Sequence, residues 1–225
     1  MPVELEVFDD DRDAAKRGAE LIAEAGRGTV AERGVFGLAM SGGASPATWA
    51  MLARLGGMEE MPWGETELFQ VDERVASPGS EDRNLTHFVL GLSIDHQAAL
   101  RPMPVTQRDL EAAAREYESQ LPERLDMVHL GLGPDGHTAS LVPGDPVLDV
   151  TDRRVAITGG DYQGHRRMTF TYPELAAARR IVWLVTGAGK RDALAKLLAG
   201  DRSIPAGRVE NESMVVVADR AAAPS

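Results

Sequence analysis

Residues 130–140, with the sequence LGLGPDGHTAS, mark the place where a buried strand runs into a glycine-rich turn. The apolar run at 127–130 is typical of a strand covered by other structure. The glycines of the turn allow a sharp change of direction and leave room for a ligand. Asp135 and His137 then stand two residues apart at the mouth of the turn. This stretch predicts a strand that delivers an acid and an imidazole to a binding site.

The same glycines also spell the G-x-G-x-x-G pattern of a dinucleotide-binding loop. Such a loop has to open a long helix whose N-terminus holds the pyrophosphate. Here Pro143, Gly144 and Pro146 stop any helix within about two turns. Asp135 would also place a negative charge beside the pyrophosphate. The dinucleotide interpretation is therefore set aside.

Composition limits the classes of protein to which the chain can belong. Its 225 residues, 43% of them hydrophobic and 26% charged, indicate one α/β domain over residues 1–225. The net charge of -11 argues against nonspecific binding to nucleic acid or to an anionic membrane. The absence of cysteine excludes disulfides and thiolate metal sites. With no signal peptide or membrane span recognisable, we expect a cytoplasmic protein, either a monomer or a weak homo-oligomer.

Apolar runs alternate with helical patterns along the chain, which predicts a doubly wound, mostly parallel sheet with helices on both faces. A polar loop between two alternating segments predicts a small β-hairpin at 153–171. A strong amphipathic helix is expected at 106–121, capped by Thr106 and stopped by Pro122. The predicted strands cover residues 3–8, 35–40, 67–71, 127–130, 180–185 and 214–218.

Three further turns follow predicted strands, and in a doubly wound sheet they share one edge with the turn at 130–140. The turn SGGASP, residues 41–46, combines a glycine pair with Ser45 as a helix cap, and is interpreted either as an anion site or as an ordinary βα turn. The cluster at 72–74, sequence DER, is either solvated or part of a ligand site. In the turn at 187–190, a lysine on the first helical turn opposes the helix dipole, which favours a bound anion.

Together these turns supply enough positive charge to hold a phosphate within an acidic protein. Arg74 and Lys190 would act with two helix N-termini. His137 would lie beside the rest of a phosphorylated molecule, and a histidine is suited to act as a base near neutral pH. The other histidines are interpreted as structural at positions 87, 96 and 129 and as exposed at position 165.

The four turns, taken in order, resemble those of the 6-phosphogluconolactonases over about residues 35–217. The run DGHTAS at 135–140 is the specific part of the resemblance. It implies a modified Rossmann sheet and hydrolysis of 6-phospho-D-glucono-1,5-lactone to 6-phosphogluconate, in the oxidative pentose phosphate pathway. The implied partner is a small phosphorylated sugar lactone, and neither a metal nor an organic cofactor is implied.

The resemblance also assigns roles to individual residues. His137 would be the general base that activates water, and Asp135 would orient the loop and the imidazole. Arg167 would fix the substrate or the developing oxyanion. Asp72 matches an acid retained across the wider group, without a clear task in a lactonase. The 6-phosphate would be bound by Arg74 and Lys190 with Gly42, Gly43, Ser45 and the Gly187 turn.

Two alternatives come from the wider group that the resemblance names. A glucosamine-6-phosphate deaminase would carry a glutamate just before the Pro-Gly pair, where this chain has Val142. A noncatalytic sugar-phosphate sensor would carry a DNA-binding helix-turn-helix, for which the length and charge of this chain leave no room. Both are therefore less favoured than the lactonase.

Overall fold

The central element is a seven-stranded sheet in which every strand pairing is parallel. A computed structural model describes residues 3–42, 45–92 and 99–224. The strands of this sheet lie in the order β1-β10-β9-β6-β2-β3-β5. They are β1 (Glu4–Phe8), β2 (Phe36–Met40), β3 (Thr66–Gln70), β5 (Leu100–Arg101), β6 (Met127–Leu130), β9 (Ile181–Val185) and β10 (Met214–Asp219).

Helices cover both faces of the sheet, as the sequence predicts. On one face α1 (Asp11–Arg33), α2 (Pro46–Gly56) and α3 (Asn84–Gly91) pack on a cluster that includes Phe36, Leu38 and Met40 of β2. On the other face α4 (Leu110–Gln120), α5 (Tyr172–Ala177) and α6 (Arg191–Leu198) pack on a cluster around Trp183. None of the helices within the described ranges is long and apolar enough to span a bilayer.

The apolar run of β9 shows why the central strands carry no polar face. Ile181 and Trp183 face the cluster around α4 and α6, whereas Val182 and Leu184 face α1 and α2. All five residues of the strand are buried. A strand buried on both faces has to be apolar throughout, because each face of a parallel sheet is covered by helices.

A second, three-stranded antiparallel sheet lies beside the first. The hairpin predicted at 153–171 is present as β7 (Val155–Ile157) and β8 (Arg167–Phe170). Its third strand is β4 (Asp72–Arg74), which pairs with β8 and which no local sequence pattern predicts. Only Val71 separates β4 from β3, so the chain passes directly from the parallel sheet into the small one.

Aspartate side chains cap both α1 and α4, and the cap of α4 differs from the one predicted. Asp10 caps α1, and Gly34 ends it in the left-handed conformation with φ of 81°. The expected start of α4 at Thr106 is wrong, because the helix begins at Leu110. The side chain of Asp109 accepts a hydrogen bond from the Ala112 N–H at 3.0 Å and so occupies the cap position itself.

Candidate active site

A cavity of about 210 Å³ opens at the carboxyl ends of the parallel strands, where the small sheet meets the large one. It brings together residues from all four turns singled out in the sequence. Of the predicted site residues, Gly42, Ser45, Asp72, Arg74, His137, Arg167 and Lys190 line it. Gly43 lies outside the described residues. Lining residues that the sequence did not single out include Thr48, Asn84, Leu184 and Thr186.

A larger groove, of about 850 Å³, lies at the opposite edge of the sheet. It is lined by segments that precede strands, such as Arg124 before β6 and Arg179 before β9. None of the predicted site residues lines it. The groove has the greater volume, but the titratable side chains of His137, Asp72 and Lys190 line the smaller cavity.

The turn after β6 holds His137 against Asp135. His137 Nδ1 lies 2.6 Å from Asp135 Oδ1. The Gly133 N–H donates to the His137 carbonyl at 2.8 Å, which closes the turn. A Cβ atom at Gly133 would lie 2.0 Å from His137 Nδ1, and Gly136 has a φ of +82°. Both glycines are therefore required by the geometry, the first for space and the second for backbone conformation.

Electrostatics keep the Asp135 carboxyl ionised beside the imidazole. Partial burial acts to raise the pKa of Asp135, but the hydrogen bonds and charge of His137, together with Tyr162, outweigh it and lower the pKa below its ordinary value. An ionised carboxylate only accepts hydrogen bonds, so the imidazole donates from Nδ1. Nε2 of His137 makes no hydrogen bond to the part of the chain that the structure describes. It is available as a proton acceptor.

Tyr162 is a member of the site that sequence reasoning missed. Its hydroxyl donates to Asp135 Oδ2 at 2.8 Å and lies 3.3 Å from His137 Nδ1. Burial, followed by the hydrogen bond to Asp135, raises the pKa of Tyr162 to about 12. In the sequence Tyr162 is one aromatic residue in a polar hairpin loop, with no motif around it to mark it.

Two arginines face each other across the pairing of β4 with β8. Arg74 lies directly opposite Arg167 in the strand register. Arg167 is 3% exposed, and burial lowers its pKa. Its Nη2 donates to the Tyr162 carbonyl at 3.0 Å, whereas its buried Nε has no partner in the described part of the chain. Like charges placed opposite each other in a sheet are unfavourable, so this pair favours an anion in the cavity.

The two carboxylates of the cluster at 72–74 are buried and Arg74 is partly buried, so the interpretation of a solvated charge cluster is wrong. Asp72 is 5% exposed and Glu73 is fully buried. Ser140 Oγ donates to Asp72 Oδ2 at 2.6 Å, and Asn84 Nδ2 donates to Asp72 Oδ1 at 3.2 Å. Burial raises the pKa of Asp72, against the effects of Ser140 and Arg167. Asp72 thus holds Ser140 and Asn84 in place at the cavity wall.

The turn after β9 supplies a lysine, but its first backbone N–H is already bonded. Gly187 has a φ of +93°, and its N–H lies 3.0 Å from each carboxylate oxygen of Asp219 at the end of β10. The Gly187 N–H is therefore committed to Asp219, and the predicted contribution of this turn to phosphate binding rests on its other groups. Lys190 lines the cavity from the end of this turn. Burial lowers the pKa of Lys190, while the charge of Asp135 opposes the shift.

The turn before α2 keeps its helix N-terminus open. Ser45 occupies the N-cap position but its side chain makes no capping hydrogen bond, so the expected hydroxyl cap is wrong. Pro46 occupies the first position of the helix. Gly42 lies so close to α3 that a Cβ atom there would be 2.6 Å from the Cβ of Asn84. A larger residue at this position would push α3 away from the cavity.

Comparison with known proteins identifies the family. The family model of glucosamine-6-phosphate isomerases/6-phosphogluconolactonase matches residues 9–218. The chain belongs to this family. A 6-phosphogluconolactonase of Synechocystis is 39% identical over 184 residues, which cover 76% of this chain and 74% of that protein. A 6-phosphogluconolactonase of Nostoc is 33% identical over 213 residues, with coverage of 88% and 86%.

A solved member of the family has the same fold. The crystal structure of a 6-phosphogluconolactonase from Shewanella baltica superposes with a TM-score of 0.86 over 96% of this chain and 97% of that one. Since the two sequences are 23% identical, this likeness shows the shared fold alone. The predicted α/β fold with a mostly parallel sheet is confirmed.

The remaining sequence predictions around the site have mixed outcomes. His87 and His129 are buried, in agreement with a structural interpretation, whereas His165 is half-buried rather than exposed. His96 lies outside the described residues. Val142, at the position where a deaminase of the family would carry a glutamate, is 4% exposed and apolar. Within the described ranges no three His, Asp or Glu side chains are grouped so as to hold a metal ion.

Proposed function

We propose that this protein hydrolyses 6-phospho-D-glucono-1,5-lactone to 6-phospho-D-gluconate, as a step of the oxidative pentose phosphate pathway. One observation carries the proposal. An imidazole held at Nδ1 by an ionised carboxylate, with Nε2 unbonded by any described residue, lines a cavity that also contains three cationic side chains. The 6-phosphogluconolactonases among its relatives support the choice of substrate.

In the proposed mechanism His137 moves a single proton. Nε2 takes a proton from water as the water oxygen attacks the lactone carbonyl carbon. The tetrahedral intermediate then collapses, the bond from that carbon to the ring oxygen breaks, and the proton on Nε2 passes to the ring oxygen. The carbonyl carbon becomes the carboxyl group of the product. Asp135 stabilises the transient imidazolium and keeps its orientation.

The cationic groups divide between the two negative centres of the reaction. Arg74 and Lys190 bind the 6-phosphate together with Gly42, Gly43 and Ser45 at the open N-terminus of α2. Arg167 stabilises the oxyanion, since its buried Nε has an unused N–H and a charge near the reacting carbon is most effective where water is excluded. Asp72 also lines the cavity and contacts the substrate there.

The mechanism needs no metal or organic cofactor, since His137 supplies the only proton transfer. We also propose that residues 1–225 act as one domain, in the cytoplasm, as a monomer or weak homo-oligomer. The acidic net charge of -11 supports the absence of nucleic-acid and membrane partners.

An assay of lactone hydrolysis tests the proposal. The purified protein is expected to accelerate 6-phosphogluconolactone hydrolysis above its spontaneous rate without added metal. His137→Ala is expected to lower kcat by about 10²–10⁴-fold, the usual contribution of a general base. His87→Gln is the matched control, because His87 does not line the cavity and glutamine can also donate to the Glu81 carbonyl.

Two outcomes would contradict the proposal. A His137→Ala variant with full activity would remove the base assignment. Ammonia release from glucosamine 6-phosphate at a rate comparable with lactone hydrolysis would instead support a deaminase.

A further inference from the structure

Tyr162 lies where the Asp135–His137 pair meets the buried Arg167. Its hydroxyl contacts Asp135 and His137, as described above. Its ring packs edge-on against the His137 ring, with 5.3 Å between centroids and 65° between planes. The Arg167 guanidinium carbon lies 5.0 Å from the centroid of the same Tyr162 ring. One side chain thus touches three charged or titratable members of the site.

The backbone around Tyr162 is bent into a tight turn that presents this side chain. Tyr162 N–H donates to the His165 carbonyl at 3.0 Å. Between them Gln163 has a φ of +53° and Gly164 a φ of +84°. A left-handed glutamine is strained, and the side-chain Oε1 of Gln163 accepts a hydrogen bond from Arg167 Nη2 at 3.3 Å. The turn therefore orients Tyr162 and supports Arg167 from the same place.

The hydrogen-bond inventory fixes the direction of each contact. The phenol stays protonated at neutral pH, since its pKa is raised to about 12, and the ionised Asp135 can only accept from it. The phenolic oxygen near His137 Nδ1 then acts as an acceptor, as does Asp135 Oδ1. Two acceptors around Nδ1 require the proton on that nitrogen, which leaves the lone pair on Nε2.

We propose that Tyr162 is a positioning residue of this site: its hydroxyl locks Asp135 and the Nδ1-protonated form of His137, and its ring holds Arg167 at the cavity. The kinetic consequences rest on the proposed hydrolysis, whereas the state of His137 does not. Asp135 offers one oxygen to His137 and the other to Tyr162. Loss of the phenol hydroxyl would free the Asp135 carboxylate to rotate. The His137 imidazole would then populate both of its neutral tautomers.

Variants that remove the hydroxyl alone, or the whole ring, separate the two contacts. Tyr162→Phe is expected to lower kcat about tenfold with KM nearly unchanged, because a hydrogen bond to a charged group is lost. Tyr162→Leu is expected to lower kcat by about a further fivefold, because Arg167, which stabilises the oxyanion, also loses its aromatic support. Tyr172→Phe is the matched control, since its hydroxyl bonds the Pro205 carbonyl outside the cavity. Equal kcat in wild type and Tyr162→Phe would contradict the positioning role.

A ¹⁵N NMR measurement of the histidine rings tests the inference independently of activity. The His137 signals are assigned by their loss in His137→Ala. Wild type at about pH 8 is expected to show a protonated Nδ1 and a bare Nε2, and Tyr162→Phe a mixture of both tautomers. A wild-type protein with the proton on Nε2, or a variant with an unchanged tautomer, would overturn the inference. If the tautomer changes as expected but the wild-type protein has no lactonase activity, the proposed function alone is overturned.

Discussion

At the scale of single residues, the site depends on groups whose protonation is set by their surroundings. Asp135 is kept ionised by the hydrogen bonds it accepts from His137 and Tyr162. Burial acts in the opposite sense on Asp72 and raises its pKa. The two aspartates of the site therefore differ in character, one a partner of the imidazole and the other an anchor for Ser140 and Asn84. Identical side chains acquire different tasks because their burial differs.

His129 provides a pH-dependent test of burial. It is fully buried within β6, and burial lowers its pKa from 6.5 to about 4, against a smaller effect of the Ser41 backbone. The pKa of His129 is lower in the folded protein than in the unfolded chain. Its titration therefore costs no stability above pH 6.5 and destabilises the fold as the pH falls from 6.5 towards 4. At pH 5 this loss is about 2 kcal/mol.

His129→Leu removes that titration. When the pH falls from 7.5 to 5, the unfolding free energy of wild type is expected to fall by about 2 kcal/mol more than that of the variant. Urea denaturation at both pH values measures it, with the pH 7.5 comparison as an internal control for packing. A difference that is the same at both pH values would show that His129 does not titrate as its burial requires.

At the scale of secondary-structure elements, a helix is capped where a side chain next to its N-terminus accepts a hydrogen bond from a backbone N–H group. Asp10 caps α1 through its carboxylate, and Asp109 does so for α4. Ser45 stands at the corresponding position of α2 without capping it. A helix N-terminus without a side-chain cap keeps backbone N–H groups that can bind an anion. Of these three helices, the one without a side-chain cap contributes Thr48 to the cavity lining.

The start of α4 can be tested with a pair of alanine variants. Asp109→Ala is expected to lower the unfolding free energy by about 1 kcal/mol, since it removes the acceptor of the Ala112 N–H. Thr106→Ala is the matched control and is expected to change it by less than about 0.5 kcal/mol. Denaturant unfolding of both variants decides between the two caps. A larger loss for Thr106→Ala would place the helix start at residue 106 after all.

At the scale of the whole molecule, Glu73 joins the two sheets and α3. Its Oε1 accepts hydrogen bonds from the backbone N–H groups of Arg74 at 2.7 Å and Asn84 at 2.8 Å. Its Oε2 accepts from the Leu85 N–H at 2.9 Å, from Gln70 at the end of β3, and from the buried Arg83. The carboxylate thus ties β3, β4 and the first turn of α3 together. Of these elements, β4 and α3 contribute Asp72, Arg74 and Asn84 to the cavity lining, so the site depends on this junction.

Glu73→Gln is expected to destabilise the protein strongly. Replacement of one oxygen by NH₂ leaves backbone donors unpaired and removes the counter-charge of Arg83, at a cost of about 3–5 kcal/mol. For a chain of this size the loss corresponds to a fall in Tm of about 10 °C. Differential scanning calorimetry measures the change.

Glu67→Gln is the control for that experiment. Glu67 pairs with Arg101 at 3.6 Å, and both side chains are about 40% exposed. The loss of an exposed pair is expected to cost less than about 1 kcal/mol. A Glu73→Gln variant with the same Tm as Glu67→Gln would show that the Glu73 carboxylate does not hold the junction.

The sequence by itself determined the features that depend on neighbours along the chain. Apolar periodicity predicted the parallel strands and the helices on both faces, because residues of one strand share one environment. The glycine-rich turn predicted the closeness of Asp135 and His137, which are two residues apart. The topological rule that parallel strands end at one edge predicted which turns would meet.

Only the tertiary structure decided the contacts between distant segments. The sequence predicts the charges at 72–74 to be either solvated or part of a ligand site, yet these residues form a strand whose first two residues are buried, because β8, nearly a hundred residues later, supplies the pairing partner. Tyr162 reaches Asp135 over a separation of 27 residues, and Asp219 takes the Gly187 N–H over 32. Burial and hydrogen-bond partners arise when separate elements pack, and local residue patterns carry no record of which distant group will fill each position.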